Sequence, residues 1–600
     1  AWDIGADEGA LGVFYSVGQD GTTDRKTGAP TMTISSGTAT FSVAQTGNIG
    51  VGDVIDYDTD NKKLYIRSKV DASNWKVVTN TGNTPSDIGT GVAVNSIKRV
   101  YSSLSSAESG AATLLGTSDL KTNNYALNLP CYYDTGADTT AVTVEGYTTA
   151  ISNPIKIYAP DNTAAETNLS QRHAGKWDDG KYAISSTSTP LTIREPHVIV
   201  DGLQVLQQGT SDYRAGIDFD SGLSLIPEAQ EVVSNCILKS TNTSTVGQYG
   251  LDADSGAYIS SFYFYNNIVH GFHTGGIYAR LASGSTNGKI YNNTIYGIEA
   301  NGLDADSDVL MKNNIVQNCG ESDYIGSGLS GTSNNLSSDG TAPGTNSKTG
   351  TTVDFVSTLS GAEDFHLAPS DMAARDSGAD LSSESLFTDI DGDTRPSSLW
   401  DIGADEASIP IYRSVGPSAT SALDDDNSQQ DTLTITSGAA IFEVAVVDNV
   451  GVGDVILYDS NSDNSLTSAD SIAFIKSRTD STHYAIQTET GAVPSDLAVN
   501  DKWAIYRAYT SLANAESGTK NTSIPITFTG GDRDLVANNE QWNIAAYANG
   551  TAADTSSVSV SGWTTGAQNY IKIYTTVGSS EVGTSQRHAG KWDDGKYRLD

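Results

Sequence analysis

A stretch of oxygen-bearing side chains in the second half of the sequence has the spacing of a calcium-binding loop. EF-hand loops place ligand oxygens at positions 1, 3, 5, 7 and 12. Here these positions are filled by Asp459, Asn461, Asp463, Ser465 and Asp470. Asn464 stands where the pattern has glycine, and Asp470 stands where it has a bidentate glutamate. We expect calcium to bind this loop; the alternative is an Asx-rich hairpin turn. A weaker candidate of the same kind comprises Asp389, Asp391 and Asp393.

A column of mostly acidic side chains is spaced along the middle of the sequence. Strand alternation predicts that the apolar residues between them point inward while the polar ones share one outer face. The polar positions are Asp218, Asp220, Asp252, Asp254, Tyr278, Arg280, Asp304 and Asp306. This face could bind a cation or a sugar, or it could be a solvated surface of salt bridges. A lyase needs a base and a hydrolase needs a converging carboxylate pair, but Arg280 is the only basic residue in the column, so we expect no catalysis.

Two segments of the sequence occur twice and predict a tandem repeat. Residues 170–182 return at 585–597, and residues 2–8 return at 400–406. The offset predicts a module of about 400 residues, which is too long for a solenoid rung. The block at 170–182 contains His, Lys and Asp residues, but we expect it to be a loop that caps the first coils, with Trp177 as its packing anchor.

Between residues 199 and 340 two columns of residues recur every 21–34 positions. Such registered columns predict coils stacked on one another at roughly 4.8 Å, as in a parallel β-helix. Asparagine tolerates the left-handed bend between strands, and stacked amides can bond along the ladder, so we expect a structural role for that column. The asparagine column is Asn235, Asn267, Asn293, Asn314 and Asn335, and the glycine column is Gly216, Gly250, Gly276, Gly302 and Gly328.

These columns, the segment 197–203, and the closing runs at 389–396 and 401–406 resemble the right-handed parallel β-helix (pectate-lyase-like) proteins. More narrowly, they resemble the large repeat-containing secreted bacterial proteins that carry this domain. The resemblance implies an extracellular or cell-surface location. Pectin-degrading members use outward carboxylates to bind calcium or to protonate a glycosidic bond. The hydrolase blocks Asn-x-Asp, Asp-Asp, Gly-His-Gly and Arg-x-Lys are not assembled in this chain, so we expect it not to be an enzyme.

Composition excludes several classes of protein. The 600-residue chain has a formal net charge of −37, which argues against nucleic acid and anionic membranes, because both are bound by basic faces. Cys131, Cys236 and Cys319 are too few and too scattered for a disulfide framework or a zinc site. No apolar run approaches the roughly 18 residues of a membrane span, so we expect no membrane insertion.

The predicted fold class is all-β: a right-handed parallel β-helix alternating with a small β-sandwich or barrel in a tandem repeat. A short helix is expected over 100–110, with Gly110 as its stop and the end of the coil stack beneath it. The predicted domains are 1–8, the closing strand of a preceding module; 9–29, a linker; 30–99, the first small β-domain; 100–406, the first β-helix; 407–430, a linker; 431–507, the second small β-domain; and 508–600, the start of the second β-helix.

Three functions are compatible with these features. The first is a structural segment of an extracellular fibre, sheath or surface layer, which assembles head to tail with copies of itself. The second is an adhesin that binds polysaccharide, and the third is a polysaccharide lyase or glycoside hydrolase. Duplication of the whole module favours the first two, because a fibre gains length from end-to-end copies. In the first hypothesis the run 401–406 forms a strand that closes one end of the β-helix.

Overall fold

The computed structural model describes residues 9–210, 213–220, 230–241, 247–253, 259–281, 285, 287–368, 371–396, 400–426, 431–500, 502–566 and 568–600. The predicted closing strand at 1–8 and the predicted ligand Asp254 lie outside these residues. The chain divides into two compact units, Ala1–Ala407 (unit 1) and Ser408–Asp600 (unit 2). Strands dominate both units, which confirms the predicted all-β class. Within the described residues, neither helix is long and apolar enough to cross a membrane.

Unit 1 contains a parallel β-helix of three sheets, and each full coil contributes one strand to each sheet. The first sheet stacks Leu11–Phe14, Tyr125–Tyr132, Ile155–Tyr158, Val198–Asp201, Glu231–Ser234, Ser261–Tyr265, Asn287–Tyr291 and Val309–Lys312, with Val17–Gly18 also paired to the second of these. The second sheet stacks Ala183–Ser186, Gln204–Gln207, Ile237–Ser240, Ile268–His270, Thr294–Tyr296, Ile315–Gln317 and Leu336–Ser337. The third sheet stacks Val142–Val144, Leu191–Ile193, Arg214–Phe219, Gln248–Ala253, Gly275–Ala279, Asn301–Ala305 and Ser322–Ile325.

The core of the β-helix is a set of apolar columns that run along the stack. Because paired strands are parallel and in register, an inward residue of one coil lies on the inward residue of the next. One such column of the first sheet is fully buried and comprises Ile157, Val200, Val233, Phe264, Ile290 and Met311.

Asparagines fill the corner between the first and second sheets in two adjacent columns. The first column has left-handed backbone, with φ between 52° and 55°, at Asn235, Asn266, Asn292, Asn313 and Asn334. The next residue along the chain forms the ladder: Nδ2 of Asn267, Asn293 and Asn314 each donates to the next Oδ1 in the stack at 3.0 Å. The predicted column mixed the two, since Asn235 belongs to the left-handed column and Cys236 takes the first ladder position. Both structural roles expected of asparagine are present.

Glycines mark the third sheet because a side chain there would enter the core. A β-carbon on Gly250 would lie 2.2 Å from Val269 Cγ1 and 2.6 Å from the Gly276 carbonyl oxygen. Gly328 was predicted to be the fifth member of this column, and this prediction is wrong. The last strand of the sheet is Ser322–Ile325, and Tyr324 rather than Leu329 lies opposite Leu303.

The first small β-domain is a closed barrel inserted into the coil stack. Its strands are Thr31–Ser35, Thr38–Phe41, Val54–Tyr57, Lys62–Lys69, Asn74–Val78 and Ile88–Lys98. The segment 9–29 was predicted to be a linker, and this prediction is wrong. The segment contains the strand Leu11–Phe14, which pairs in parallel with Tyr125–Tyr132. The barrel therefore leaves the β-helix after one coil strand and rejoins it at the adjacent coil.

The helix that follows the barrel, Leu104–Leu115, covers the end of the coil stack, as expected of residues 101–109. Ser103 caps its first turn, and Leu104, Ala107, Ala111 and Leu115 are buried in the same apolar cluster as the coils. The predicted stop at Gly110 is wrong, since the helix continues to a left-handed cap at Gly116. Gly110 instead provides space, because a β-carbon there would lie 2.7 Å from the Tyr101 ring.

A buried ion pair joins the barrel to the β-helix. Arg99 Nη1 lies 2.8 and 2.7 Å from the two carboxylate oxygens of Asp53, and both side chains are fully buried. The guanidinium stacks 3.7 Å from the ring of Tyr132, which lies in the first sheet, and it also donates to the carbonyl of Asn48. The pair therefore fixes three parts of the chain with one cation.

Unit 2 is built from corresponding elements. Its β-domain is one sheet of Asp424–Asp425, Leu433–Thr436, Ala439–Phe442, Val455–Tyr458, Ser471–Arg478, His483–Gln487, Leu497–Asn500 and Trp503–Tyr506. Its coil strands are Ile409–Val415, Glu540–Ala546 and Ile571–Thr575, and its helix is Leu512–Ser517. The predicted linker 407–430 is wrong for the same reason as 9–29, because Ile409–Val415 pairs in parallel with Glu540–Ala546.

The described residues between 353 and 407, in the last part of unit 1, lie along the outside of the coils. They contain the hairpin Phe355–Ser357 and Asp364–Leu367 and the 3₁₀ turn Ser382–Glu384. Phe365 packs on the outward rings of the second sheet, 5.0 Å from His270 and 5.2 Å from Tyr296 between ring centres. The expected closing strand at 401–406 is wrong: these residues form no strand and lie on the flank, where Ala404 N–H donates to Thr294 Oγ1.

Replacing Asn293 by alanine should destabilise unit 1 by about 3 kcal/mol, because buried partners would be left unsatisfied. Its Nδ2 donates to the Phe264 and Tyr291 carbonyls, and its Oδ1 accepts from Asn267. Guanidinium unfolding measures the change. Asn301→Ala is the control. Within the described residues, the Asn301 side chain donates a hydrogen bond only to the exposed Glu321 carboxylate. Equal losses in the two variants would contradict the role of the ladder.

Candidate functional site

The third sheet brings the predicted acidic column onto one outer face. Asp218, Asp252, Tyr278 and Asp304 occupy the same register on successive strands. Each is half-buried, between inward neighbours that are buried. The predicted alternation is therefore observed for the described members of the column.

Cations pair with three of the described acids of this column. Arg280 lies 2.7 Å from Asp304 and 3.3 Å from Asp306, and its guanidinium stacks 4.3 Å from the Tyr278 ring. Arg194, which the sequence did not single out, lies 2.5 Å from Asp220 and 3.1 Å from Glu145. The only base predicted in the column is thus held in a salt bridge, where it is poorly placed to abstract a proton.

Asp218 differs from the other acids of this face. Burial raises the pKa of Asp218 to about 7, with further contributions from the negative charges of Asp252 and Asp220, and Arg194 opposes them. A carboxyl with this pKa is partly protonated at neutral pH.

The predicted calcium loop brings three of its five oxygen-bearing side chains together. Asp459, Asp463 and Asp470 each offer an oxygen within 4.8 Å of the others. Asp459 is buried and accepts from the amides of Ser462 at 2.7 Å and Asn464 at 2.8 Å, so the loop is wrapped around it. Among the described residues, Asp470 Oδ1 has no hydrogen-bond partner. Such a set of hard oxygen donors fits calcium.

The side chains of Asn461 and Ser465 form hydrogen bonds with Asp463. Asn461 Oδ1 accepts from the Asp463 amide at 2.9 Å, and Ser465 Oγ donates to Asp463 Oδ1 at 2.5 Å. They orient Asp463, which is the most exposed of the three carboxylates.

The corresponding turn of the first barrel carries its own cation. It links Val54–Tyr57 to Lys62–Lys69 through residues 58–61 only. Lys62 Nζ lies 3.0 Å from Asp58 and 3.7 Å from Asp60. In the second β-domain the residue that pairs with the preceding strand at this place is Ser471, which has no charge. The two turns thus offer a matched comparison of one carboxylate site with and without a lysine.

A buried group of charged side chains lies on the flank of unit 1, around His366. His366 is 8% exposed, its Nδ1 lies 2.5 Å from Asp364 Oδ1, and its Nε2 lies 3.4 Å from Asp391 Oδ2. Asp405 accepts from the Leu367 amide at 2.7 Å and offers an oxygen within 4.8 Å of His366 and Asp391. Burial lowers the pKa of His366, but its contacts with Asp364 and Asp391 outweigh burial and hold that pKa well above its usual range.

Gly175 closes the site where a metal ion would bind His366. A β-carbon on Gly175 would lie 2.2 Å from Nε2 and 3.0 and 3.1 Å from the adjacent ring carbons, which is on the lone-pair axis of that nitrogen. The Gly175 Cα is one C–C bond, about 1.5 Å, from that point. A metal–nitrogen bond of about 2.0–2.1 Å would therefore place the ion against Cα. The group is an ionic lock that holds protein segments together.

The weaker metal candidate is not assembled as predicted. Asp389 Oδ1 accepts from the amides of residues 391–393, and its Oδ2 accepts from the Glu406 amide. Asp391 turns to His366, as described above. The Asp-x-Asp-Gly-Asp spacing forms a tight turn in which one carboxylate caps the backbone, and this use of Asp389 competes with metal binding.

The repeated block 170–182 lies on the outer flank of the second sheet and does not cap the end of the coils. His173 Nε2 lies 2.9 Å from the Asn235 carbonyl, and the Asp178 amide donates to Gln204. Trp177 packs with the flank residues Phe365 and Ile390, so its predicted anchoring role is observed. The two repeated segments meet at His366, with Gly175 on one side and Asp405 on the other.

Residues 217–352 match the family described as the right-handed β-helix region. The matched range contains most of the parallel coils described above, and the predicted resemblance to right-handed β-helices is confirmed for it. A search of curated proteins and a search of solved structures gave no match.

Asp218→Asn should remove a pH dependence of stability. The unfolded carboxyl titrates near 3.8 and the folded one near 7, so between these values only the folded state keeps the proton and stability falls as pH rises. Above pH 7 the loss is complete. We expect the variant to exceed the parent by about 4 kcal/mol at pH 8 and to match it at pH 3.5, as measured by chemical unfolding.

Asp308→Asn is the control for this prediction, because Asp308 is an exposed carboxylate on the same coil stack. It should follow the parent at both pH values. A stability difference between Asp218→Asn and the parent that is the same at pH 3.5 and pH 8 would contradict the assignment.

Proposed function

We propose that this chain is a structural segment of an extracellular tandem-repeat array, of the fibre, sheath or surface-layer kind, and that calcium stabilises its second β-domain. The observation that carries the proposal is that one junction is built twice. Arg507 lies 2.7 and 2.5 Å from the oxygens of Asp454 and 3.6 Å from the Tyr547 ring, which repeats the contacts of Arg99 with Asp53 and Tyr132. A binding or catalytic site would not require its barrel-to-coil junction to be duplicated, whereas an array does.

The outermost coil strand of unit 2 supports assembly. Within the described residues, Ile571–Thr575 pairs only with Glu540–Ala546, and a following coil of the repeat would pair at its other edge. Ile573 is 42% exposed, whereas Ile157, at the same place in unit 1, is fully buried beneath the next coil. An open edge with apolar side chains favours the addition of another strand. The partner in this proposal is a further copy of the repeat, joined head to tail.

A glycan-binding adhesin is the second candidate. Tyr249 and Tyr278 stack at 5.2 Å on the acidic face, next to Arg280 and Asp304. Aromatic faces flanked by hydrogen-bonding groups suit polysaccharides. A lyase or hydrolase is less well supported, because Arg280 is paired with Asp304 and Asp306.

Self-association tests the array. We expect the chain to form linear assemblies as its concentration rises, seen by sedimentation velocity and negative-stain microscopy, and Ile573→Lys to reduce them at least tenfold by placing a charge at the edge. Val499→Lys is the control, since Val499 is 70% exposed on the β-domain, away from this edge. A parent that remains monomeric, or one that forms only closed dimers, contradicts the proposal.

Calcium should raise the melting temperature of unit 2. At a free calcium concentration about 100 times Kd, binding to the folded state alone contributes about 2.7 kcal/mol. Asp463→Ala should abolish the response in calorimetry of the full chain, and chelation should reverse it in the parent. Asp60→Ala, in the lysine-bearing turn of the first barrel, should leave it intact. If the Asp463→Ala chain responds to calcium as the parent does, the assignment of this calcium site is contradicted.

A further inference from the structure

The first carboxylate of the calcium loop has a counterpart in the first barrel. Asp58 and Asp459 each come directly after the first strand of a hairpin. In both domains an asparagine of a later strand donates to the backbone carbonyl of this aspartate, Asn95 at 2.7 Å and Asn500 at 2.6 Å. The two aspartates therefore occupy the same place in the fold, and their surroundings can be compared directly.

In the first barrel this carboxylate already holds a cation. Lys62 Nζ lies 3.0 Å from Asp58 Oδ2 and 3.7 Å from Asp60 Oδ2. A hydrogen bond from Lys62 and one from the Thr59 amide hold the pKa of the Asp58 carboxyl below its usual range. An ammonium group of the chain itself thus occupies the place beside Asp58 where an ion from solution would bind.

In the second β-domain the same place has more negative charge and no cation of its own. Ser471 stands where the first barrel has Lys62, since each pairs with the last residue of the preceding strand. The turn contains three carboxylates, with oxygens within 4.8 Å of one another, where the first barrel has two. Among the described residues, no lysine or arginine forms an ion pair with the three, which are Asp459, Asp463 and Asp470. Like charges at this separation repel one another unless a cation joins them.

We propose that the residue at positions 62 and 471 decides whether a β-domain of this repeat depends on calcium, and that the lysine is a built-in substitute for the ion. This inference rests on the calcium site proposed above and names the residue that controls it. A domain with lysine neutralises its own turn and repels a second cation. A domain with serine leaves its carboxylate oxygens to calcium. The first barrel is therefore independent of calcium, and the response is confined to unit 2.

Moving the lysine into the second β-domain tests the assignment on the full chain. We expect Ser471→Lys to weaken calcium binding by about tenfold or more in isothermal titration calorimetry, because its ammonium would meet Asp459 as Lys62 meets Asp58. Ser471→Gln is the matched control for side-chain length without charge. Thr436→Lys adds the same charge at an exposed strand position of the same domain. Both controls should keep the calcium Kd within about twofold of that of the parent.

Hydrogen exchange in the presence of a chelator measures whether the lysine replaces the ion. Asp459 accepts from the amides of Ser462 and Asn464, so a cation that fixes this carboxylate should slow their exchange. We expect these amides to exchange about threefold more slowly in Ser471→Lys than in the parent when calcium is removed. A variant that had merely lost the structure of the loop would exchange faster than the parent.

Calcium binding by Ser471→Lys as tight as that of the parent, or equal exchange of the two chains in chelator, would overturn the role of this position. That result differs from failure of the calcium site, in which the parent itself binds no calcium. A parent without calcium binding contradicts both proposals.

Discussion

The buried arginine at each junction is the constraint on which both units depend. Taking a guanidinium and a carboxylate out of water costs several kcal/mol per ion, and only good geometry and further hydrogen bonds offset that cost. Asp53 meets this condition because it also accepts from the Gly50 amide, and Asp454 accepts from the Gly451 amide in the same way. A displacement of the barrel on its coils would separate the guanidinium from the Tyr132 ring of the first sheet, and the same holds for Arg507 and Tyr547. The arginine therefore ties each β-domain to its coils.

The flank of unit 1 shows how the same chemistry is used away from the junction. Arg395 is buried and lies 2.8 Å from Glu406, and its other nitrogen donates to the Gly403 carbonyl. Together with the group around His366, this pair fastens a segment that has almost no regular secondary structure to the outside of the coils. Charged side chains thus supply order where backbone ladders are missing, while the acidic face of the third sheet stays accessible. One side of the β-helix is thus covered by the flank segment, and the acidic face lies on another side.

Much of this architecture could be predicted because every coil of the stack has the same local backbone requirements. Each coil needs a left-handed corner and a close approach at the third sheet, so asparagine recurs at 266–267, 292–293 and 313–314 and glycine recurs at 250, 276 and 302. The two linkers were wrong because Leu11 pairs with Tyr125 and Ile409 pairs with Glu540, and partners so distant in sequence leave no local signal. The clustering of Asp459, Asp463 and Asp470 could be predicted because these residues lie within one short loop of the sequence. The lock at His366 was not, since it combines residues from four separate segments, although Asp405 belongs to a repeated one.

The insertion of the first barrel has a mechanical consequence. The chain enters the barrel after Leu11–Phe14 and returns to the coil beside it, where the Gly18 amide donates to the Tyr101 carbonyl at 3.0 Å. Tension applied through the backbone before residue 11 does not reach the barrel first. It is carried across the ladder between Leu11–Phe14 and Tyr125–Asn128, whose hydrogen bonds are loaded together in shear. The barrel is thereby shielded from a pulling force until that ladder ruptures, and its unfolding would then lengthen the chain without parting the remaining coils.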